Sequence, residues 1–385
     1  MNIVLIIKCA FPYGEAMSSR TRHFAELLCD CGHHVHVIAP KRKNAGECRA
    51  LLQKDCTVQY IDAPANTLTL AGIGTSKPYM AALKEYAKHN QVDAIVSDSM
   101  VFVADQICRF AHKHHIPYII EQCEWYDVST FKFGKWNPHY REHIRRIEKK
   151  NKRCDGVIAI SSYLAEHYAK QGLQTVRIPT ILDIQATEYA LEHDRDVLKI
   201  VFAGSIGGGK EKIAPVLQAI DQLEEAAQRL HFHIYGANDA QVLANIGNDA
   251  ALFEKVRPFF TAHGRIPQQE VEAKVREADY TIFIRPDRRS SHAGFPTKLA
   301  ESMAVGTPVI SNATGDVGLY LENGKNGFLL ETGTAKELEQ VLRRLLAMDA
   351  QEHKMMRQNA RRSAEQSFDY RIYAKQMNDL LNVMR

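Results

Sequence analysis

The chain has 385 residues, 45% hydrophobic and 24% charged, with a formal net charge of +4. That length suits two cores at about 100–200 residues each, and the balance excludes disordered and fibrous classes. So small a positive charge permits an anionic ligand or membrane surface and does not call for nucleic acid.

The start carries a short apolar run, Ile3-Val4-Leu5-Ile6-Ile7. It falls short of the roughly 7–15 apolar residues of a signal peptide, which predicts a buried first strand and a cytoplasmic protein. No run approaches the roughly 18–20 apolar residues of a membrane span. A loop with Pro12 and Gly14 then leads into a predicted helix with Phe24, Leu27, Leu28 and Cys31 on one face, stopped by Gly32. Val35–Ile38 reads as the next strand, and strand–helix–strand order predicts a parallel, doubly wound sheet. Ala94–Val96, Tyr118–Ile120, Val157–Ile160 and Thr175–Ile178 continue it.

Several strand ends carry candidate chemistry. Asp98 follows Ile95-Val96-Ser97 and is either a ligand-facing carboxylate or the N-cap of a helix from Ser99 onward. Glu121 and Glu124 follow another strand and are candidates for contact with acceptor hydroxyls. His112, His114 and His115 end a predicted exposed helix, where histidines complement the helix dipole without a metal. Basic residues at 141, 145, 149 and 153 share one helix face, either solvated or facing an anionic membrane. The eight cysteines, at 9, 29, 31, 48, 56, 108, 123 and 154, include no CxxC pair and read as reduced cytosolic thiols. Cys29 and Cys31 are too closely spaced for a zinc pair.

An acidic stretch from Asp183 to Asp196 lacks apolar periodicity and reads as a linker, after which the pattern restarts. Leu198–Phe202 is a predicted strand, Gly204–Gly209 a glycine-rich turn and Lys212–Leu230 a helix. Strands His233–Tyr235, Tyr280–Ile284 and Pro308–Ser311 follow, then helices around Ala335–Ala347 and Glu352–Ala364. Domains of 1–185 and 196–368 result, with a last helix over about 369–385 expected to pack back on the first. Ligands of open α/β sheets lie beyond the carboxyl ends of the strands, so the loops after strands are where function is sought.

The most informative stretch is Ile284 to Ile310: a strand, a loop, a helix start, a glycine stop and a strand. Gly294 permits close backbone approach, and the start at Phe295, Pro296, Thr297 and Lys298 offers unpaired N–H groups, Pro296 excepted. Lys298 adds a full positive charge there, and Glu301 lies a turn further on, where a carboxylate accepts from ribose hydroxyls.

This stretch resembles the donor-binding motif of the retaining glycosyltransferases of family 4, which have the GT-B fold: two Rossmann-like, doubly wound α/β domains facing a central cleft. That motif holds two glutamates separated by seven residues, then a small-residue helix and Gly-x-Pro-Val-Ile. Glu301 matches the second glutamate, and Ala293 stands where the first would be. Arg285-Pro286 with Ala293-Gly294-Phe295-Pro296-Thr297-Lys298 looks like a subgroup of the family. Gly204 to Lys210 is similar to the family's Gly-Arg-x-x-x-x-Lys loop, with Lys210 on the phosphate-binding lysine and Ser205 in place of the arginine. Arg285 or Arg288 is a candidate for the lost charge. Arg265 and Ile266, after His263-Gly264, match positions whose backbone meets the nucleobase. Pro12-Tyr13-Gly14-Glu15 and Ser18-Ser19-Arg20 look like the flexible glycine loop near the donor phosphates. Asp98 or Ser99 stands where relatives often carry a sugar-positioning histidine.

The resemblance implies retaining transfer from a nucleoside diphosphate sugar, uridine favoured, to a glycan or lipid-linked acceptor in bacterial surface polysaccharide assembly. Lys210, Lys298 and the helix start would stabilise the departing diphosphate, so losing Lys210 is expected to cut turnover sharply. Ala293 offers no carboxylate for a covalent intermediate, which favours a front-side route with the diphosphate helping to deprotonate the acceptor. No cofactor and no metal are expected. The alternatives are a sugar-nucleotide epimerase on the same architecture and a non-catalytic nucleotide-sugar-binding relative. A nicotinamide enzyme lacks its GxGxxG after the first strand.

Overall fold

A computed structural model describes residues 1–14, 16–41, 54–63, 76–192, 196–206, 209 and 211–383. The chain divides into two compact units, one of Met1–Asp183 with Ala293–Phe295 and Asp369–Arg385, the other of Ile184–His292 with Pro296–Phe368.

In the first unit β1 (Asn2–Ile6), α1 (Ala16–Asp30), β2 (His34–Pro40), β3 (Cys56–Ile61), α2 (Ser76–His89) and β4 (Ala94–Asp98) come first. Then follow α3 (Ala104–Lys113), β5 (Tyr118–Gln122), α4 (Pro138–Glu148), β6 (Gly156–Ala159), α5 (Ser162–Ala169) and β7 (Gln174–Arg177). The seven strands are parallel in the order β3-β2-β1-β4-β5-β6-β7. The order reverses between β1 and β4, the switch point beside which open α/β sheets bind ligands. Ile3, Leu5 and Ile7 pack with Phe24, Leu27 and Leu28 of α1 and with Met377, Leu380 and Leu381 of the last helix. Each such side chain contributes about 1.5–3 kcal/mol on burial. β1 and β4 are covered on both faces, which is why Ile3–Ile6 and Ala94–Val96 are apolar runs.

The second unit has β8 (Leu198–Ala203), α6 (Ala214–Gln222), β9 (Leu230–Tyr235), α7 (Asp239–Asn245), α8 (Ala250–Val256), β10 (Phe260–Gly264) and α9 (Gln268–Arg276). Next are β11 (Tyr280–Phe283), α10 (Arg289–Ala293), α11 (Thr297–Ala304), β12 (Val309–Asn312), β13 (Gly327–Leu330), α12 (Ala335–Ala347) and α13 (Ala350–Ser367). Its six-stranded sheet, β10-β9-β8-β11-β12-β13, is also parallel and switches between β8 and β11. The chain then returns to the first unit as α14 (Ala374–Val383). Tyr370 anchors that return through its hydroxyl to Asp30, at 2.8 Å, and Arg371 pairs with Asp183 at 2.9 Å.

Four details differ from the sequence expectations. The acidic stretch after Asp183 is tied into the second unit, because two buried arginines of α13 collect its carbonyls. Arg361 donates to the carbonyls of Ile184 and Thr187 at 2.7 and 3.1 Å, and Arg357 to that of Ala190 at 3.0 Å. The helix expected over 212–230 breaks after Gln222, and Glu224 takes a left-handed φ of 54° as a 3-10 segment begins. Asp98 is not a cap, since the next helix starts at Ala104. Strands β3, β10 and β13 add to those expected.

Arg357 also donates to the carbonyls of Ala278 and Arg276 at 2.7 and 3.2 Å. Arg357→Ala would strand these buried acceptors, so it should destabilise the second unit by about 3 kcal/mol. Urea unfolding of the full chain reads this directly, and an unchanged midpoint would show that the carbonyls find other partners.

Candidate active site

At the carboxyl end of β8 the chain turns at Gly204, whose φ is 151°. A Cβ there would lie 2.6 Å from Cε and 2.8 Å from Nζ of Lys298, so glycine leaves the space this lysine occupies. The same holds one strand over. A Cβ on Gly236, at φ 101°, would lie 2.5 Å from the carbonyl oxygen of Gly204. Glycine at these two strand ends thus lets Lys298 lie against the backbone of Gly204, and that backbone against Gly236.

Lys298 is the second residue of α11, which begins after Pro296 with no side-chain cap. Its ammonium donates to Oε1 of Glu211 at 3.1 Å and sits 5.3 Å from the centre of the Phe202 ring. The Glu211 side chain is 7% exposed, and its Oε2 is buried without a hydrogen-bond partner among the described residues. A cation at a helix N-terminus is electrostatically unfavourable by itself, and the carboxylate of Glu211 compensates. The turn around it is pinned from two sides. Asn245 donates to the carbonyls of Ile206 and Glu211 at 3.2 and 3.3 Å, and Arg288 donates to that of Gly209 at 2.9 Å. Lys210 lies outside the described residues. Ser205 is exposed at the mouth of the turn.

Arg285 leaves β11 with its main chain paired to Asn312. Its N–H donates to Oδ1 at 2.9 Å, its carbonyl accepts from Nδ2 at 2.8 Å, and its guanidinium reaches the Ser291 carbonyl at 3.0 Å. Glu301 sits one turn after Lys298. Burial raises its carboxyl above the ordinary value, Lys298 opposes the shift, and Glu272 adds to it. Arg265 is exposed just past β10, while Ile266 packs against the cluster of Val201, Val275 and Ala278. Gly294 and Phe295 immediately precede the helix start.

In the first unit Asp98 ends β4 beside the switch point and is 2% exposed. Its Oδ2 accepts from the main-chain N–H of Lys8 at 3.0 Å, and its Oδ1 is buried with no hydrogen-bond partner among the described residues. Burial pushes this carboxyl up to about 6, with Lys8 opposing and Glu121 reinforcing the shift. Gly14, at φ 139°, lies beyond the carboxyl end of β1; a Cβ there would come within 3.0 Å of that of Ala10. Glu121 departs from expectation. It accepts from Nε of Arg20 at 2.6 Å, and both side chains are 2% exposed, so an acceptor hydroxyl could reach it only by breaking a buried ion pair. Arg20 is further bound to the carbonyls of Ile178, at 2.9 Å, and Pro179. Glu121 therefore anchors α1 to the sheet, whereas Glu124 is partly exposed. Among the described residues no three His, Cys, Asp or Glu side chains are placed to hold a metal ion.

Sequence reasoning missed Glu211, Asn245, Asn312 and Lys8. Glu211 had one available signal, its place directly after Lys210 in a glycine-rich turn. The two asparagines act through carbonyls that no spacing reveals.

Known proteins bear on this arrangement. A family model described as "Glycosyl transferase 4-like domain" matches residues 15–181, and one described as "Glycosyl transferases group 1" matches 198–348. WcaL of Escherichia coli, named for colanic acid biosynthesis, is 29% identical over 67% of this chain. That match spans 62% of the relative's own length, less than two thirds. Sucrose-phosphate synthase of Thermosynechococcus elongatus shares the fold at a TM-score of 0.73 and 18% identity, covering 100% of this chain and 98% of that one. HepE of Anabaena, solved with UDP and glucose, gives 0.67 and 16% with full coverage of both chains. With both halves matched in order, and with two parallel sheets of the GT-B type, the chain belongs to the group 1 glycosyltransferases of family 4.

Proposed function

We propose that this chain transfers a sugar, with retention of configuration, from a uridine diphosphate sugar to a hydroxyl of a growing glycan or lipid-linked glycan in bacterial surface polysaccharide assembly. The observation that carries the reading is Lys298, poised over Gly204 by Glu211 at the start of α11. The name of WcaL and the UDP held by HepE support the pathway and the base.

In this reading the diphosphate meets the backbone at Gly204 and the first N–H groups of α11, and Lys298 moves from Glu211 onto it. Lys210 and Arg288 add charge from the glycine turn and the loop after β11. Positive groups already in place stabilise the negative charge that develops as the sugar departs. Ala293 puts no carboxylate behind the anomeric carbon, so the acceptor enters on the face the diphosphate leaves. Asp98, one oxygen of which has no hydrogen-bond partner among the described residues, is the group proposed to meet the sugar or the incoming hydroxyl. Glu124 is the proposed acceptor contact. Neither a metal nor a cofactor has a part. The enzyme works in the cytoplasm; among the described residues no helix is long and apolar enough to cross a membrane.

A thermal-shift screen against nucleoside diphosphate sugars tests the reading, since a ligand at about 100 times its Kd stabilises the folded chain by about 2.7 kcal/mol. UDP and one UDP-sugar should raise the melting temperature, and no shift with any nucleotide would sink it. Glu301→Ala should raise the Kd for UDP about tenfold through the lost ribose contact. Only the ionised carboxylate is a pure acceptor, and its pKa is raised, so wild-type affinity should climb with pH as Glu301 ionises. A pH-independent Kd would remove Glu301 from the site.

A further inference from the structure

The loop between β5 and α4 presents two large aromatic side chains to solvent. Phe133 and Trp136 are each 74% exposed, the most exposed of the large hydrophobic residues described. Their exposure is built in. Phe133 has a left-handed φ of 69°, a conformation that bulky residues rarely adopt. The loop is stitched around it by the Gly134 N–H to the Phe131 carbonyl, at 2.9 Å, and the Trp136 N–H to the Phe133 carbonyl, at 3.1 Å. Asn137 ties the loop to α4: its Oδ1 accepts from the His139 N–H at 2.9 Å, and its Nδ2 donates to the Lys132 carbonyl at 2.9 Å.

The surroundings are strongly basic. Residues 128–153 contain nine lysines and arginines against two glutamates, an excess larger than the +4 of the whole chain. Lys132 and Lys135 flank the aromatic pair and are exposed. Arg141 and Arg145 face solvent on α4, with Lys149 at its end, while His139, His143, Arg146 and Ile147 face inward. The Lys132 ammonium lies 5.4 Å from the Phe133 ring centre.

We infer that this loop and the outer face of α4 dock on an anionic lipid bilayer, with Phe133 and Trp136 entering the headgroup boundary and the basic row lying on the lipid phosphates. An aromatic pair at the tip of a basic surface suits the bilayer interface, where tryptophan is enriched. A second copy of this chain would bring like charges together. The loop follows β5, whose carboxyl end lies on the same edge of the sheet as Asp98, so docking there would bring a lipid-linked acceptor to the strand ends. That consequence rests on the proposed transfer, whereas the docking itself does not.

Vesicle flotation of the full chain tests the inference without an activity assay. Wild type should float with phosphatidylcholine vesicles containing about a quarter phosphatidylglycerol and stay behind with pure phosphatidylcholine. Its Trp136 emission should move to shorter wavelength only in the first case, with Trp136→Ala identifying the signal. Phe133→Ala with Trp136→Ala, and separately Arg141→Glu with Lys149→Glu, should each cut partitioning at least about tenfold. Unchanged melting temperatures confirm that these surface variants fold. Equal binding to neutral vesicles, retention of binding by both double variants, or preference for a single-stranded oligonucleotide over the vesicles would overturn the proposal.

Discussion

Lys298→Ala is expected to lower kcat about 10²–10³-fold with donor and acceptor saturating, the loss found when one positioned charge-stabilising donor is removed. A structural reading of Lys298 competes, because its removal also strands Glu211. That carboxylate is buried and one of its oxygens has no partner among the described residues, so losing its ammonium should destabilise the second unit by about 1–3 kcal/mol. Two further variants separate the readings. Lys298→Met with Glu211→Gln removes the charge from both and should restore most of the stability, yet leave turnover as low as in Lys298→Ala. Glu211→Gln alone should keep much of the activity, since the diphosphate, and not Glu211, is the partner of Lys298 when chemistry occurs. Recovery of turnover in the double variant would show Lys298 to be a scaffold residue. Lys298→Arg is not a conservative control, because the planar guanidinium needs more width than the space left over Gly204.

The sheet strands facing both switch points were legible because parallel strands buried on two faces are apolar runs, as in Ile3–Ile7 and Ile200–Phe202. β3 escaped because at the sheet edge its Cys56-Thr57-Val58-Gln59-Tyr60-Ile61 is buried only at its ends. β10 escaped likewise, since Thr261 and His263 sit on an edge strand without full cover. The helix start at Lys298 was legible because glycine, proline and lysine each have a reason to be there. The partners that hold the site were not. Glu211 meets Lys298 across 87 positions, and Arg357 and Arg361 meet carbonyls 167 to 177 positions away. Carbonyl acceptors leave no mark in a sequence, so a stretch held largely through them, such as 184–190, looks like a free linker. Glu121 shows the reverse case: a strand-end acid looks like an acceptor contact until its arginine is seen.

Asp98→Asn should make the protein more stable and less active at once. In the folded chain this carboxyl titrates at about 6, against 3.8 for an ordinary aspartate. Between those values the folded state therefore holds more protons than the unfolded one, and stability falls as pH rises. Above pH about 6 the full cost applies, about 3 kcal/mol for a shift of about two pH units. Asparagine keeps an oxygen for the Lys8 N–H and carries no charge to desolvate. It should flatten the stability profile between pH about 4 and about 6, and gain about 2–3 kcal/mol at neutral pH. The cost falls on chemistry. If Asp98 receives or orients a hydroxyl, the wild-type rate should show an acid limb near pH 6, and the variant should lose both that limb and about 10²-fold or more in kcat. Chemical denaturation at several pH values and a pH–rate profile give the two readouts independently. A variant that gains stability and keeps its turnover would make Asp98 a buried carboxylate with no part in the reaction. One that loses both would show the charge attraction between the carboxylate and Lys8 to be worth more than the desolvation costs. Only the opposed pair of changes marks a charge kept buried, at the expense of stability, for the sake of catalysis.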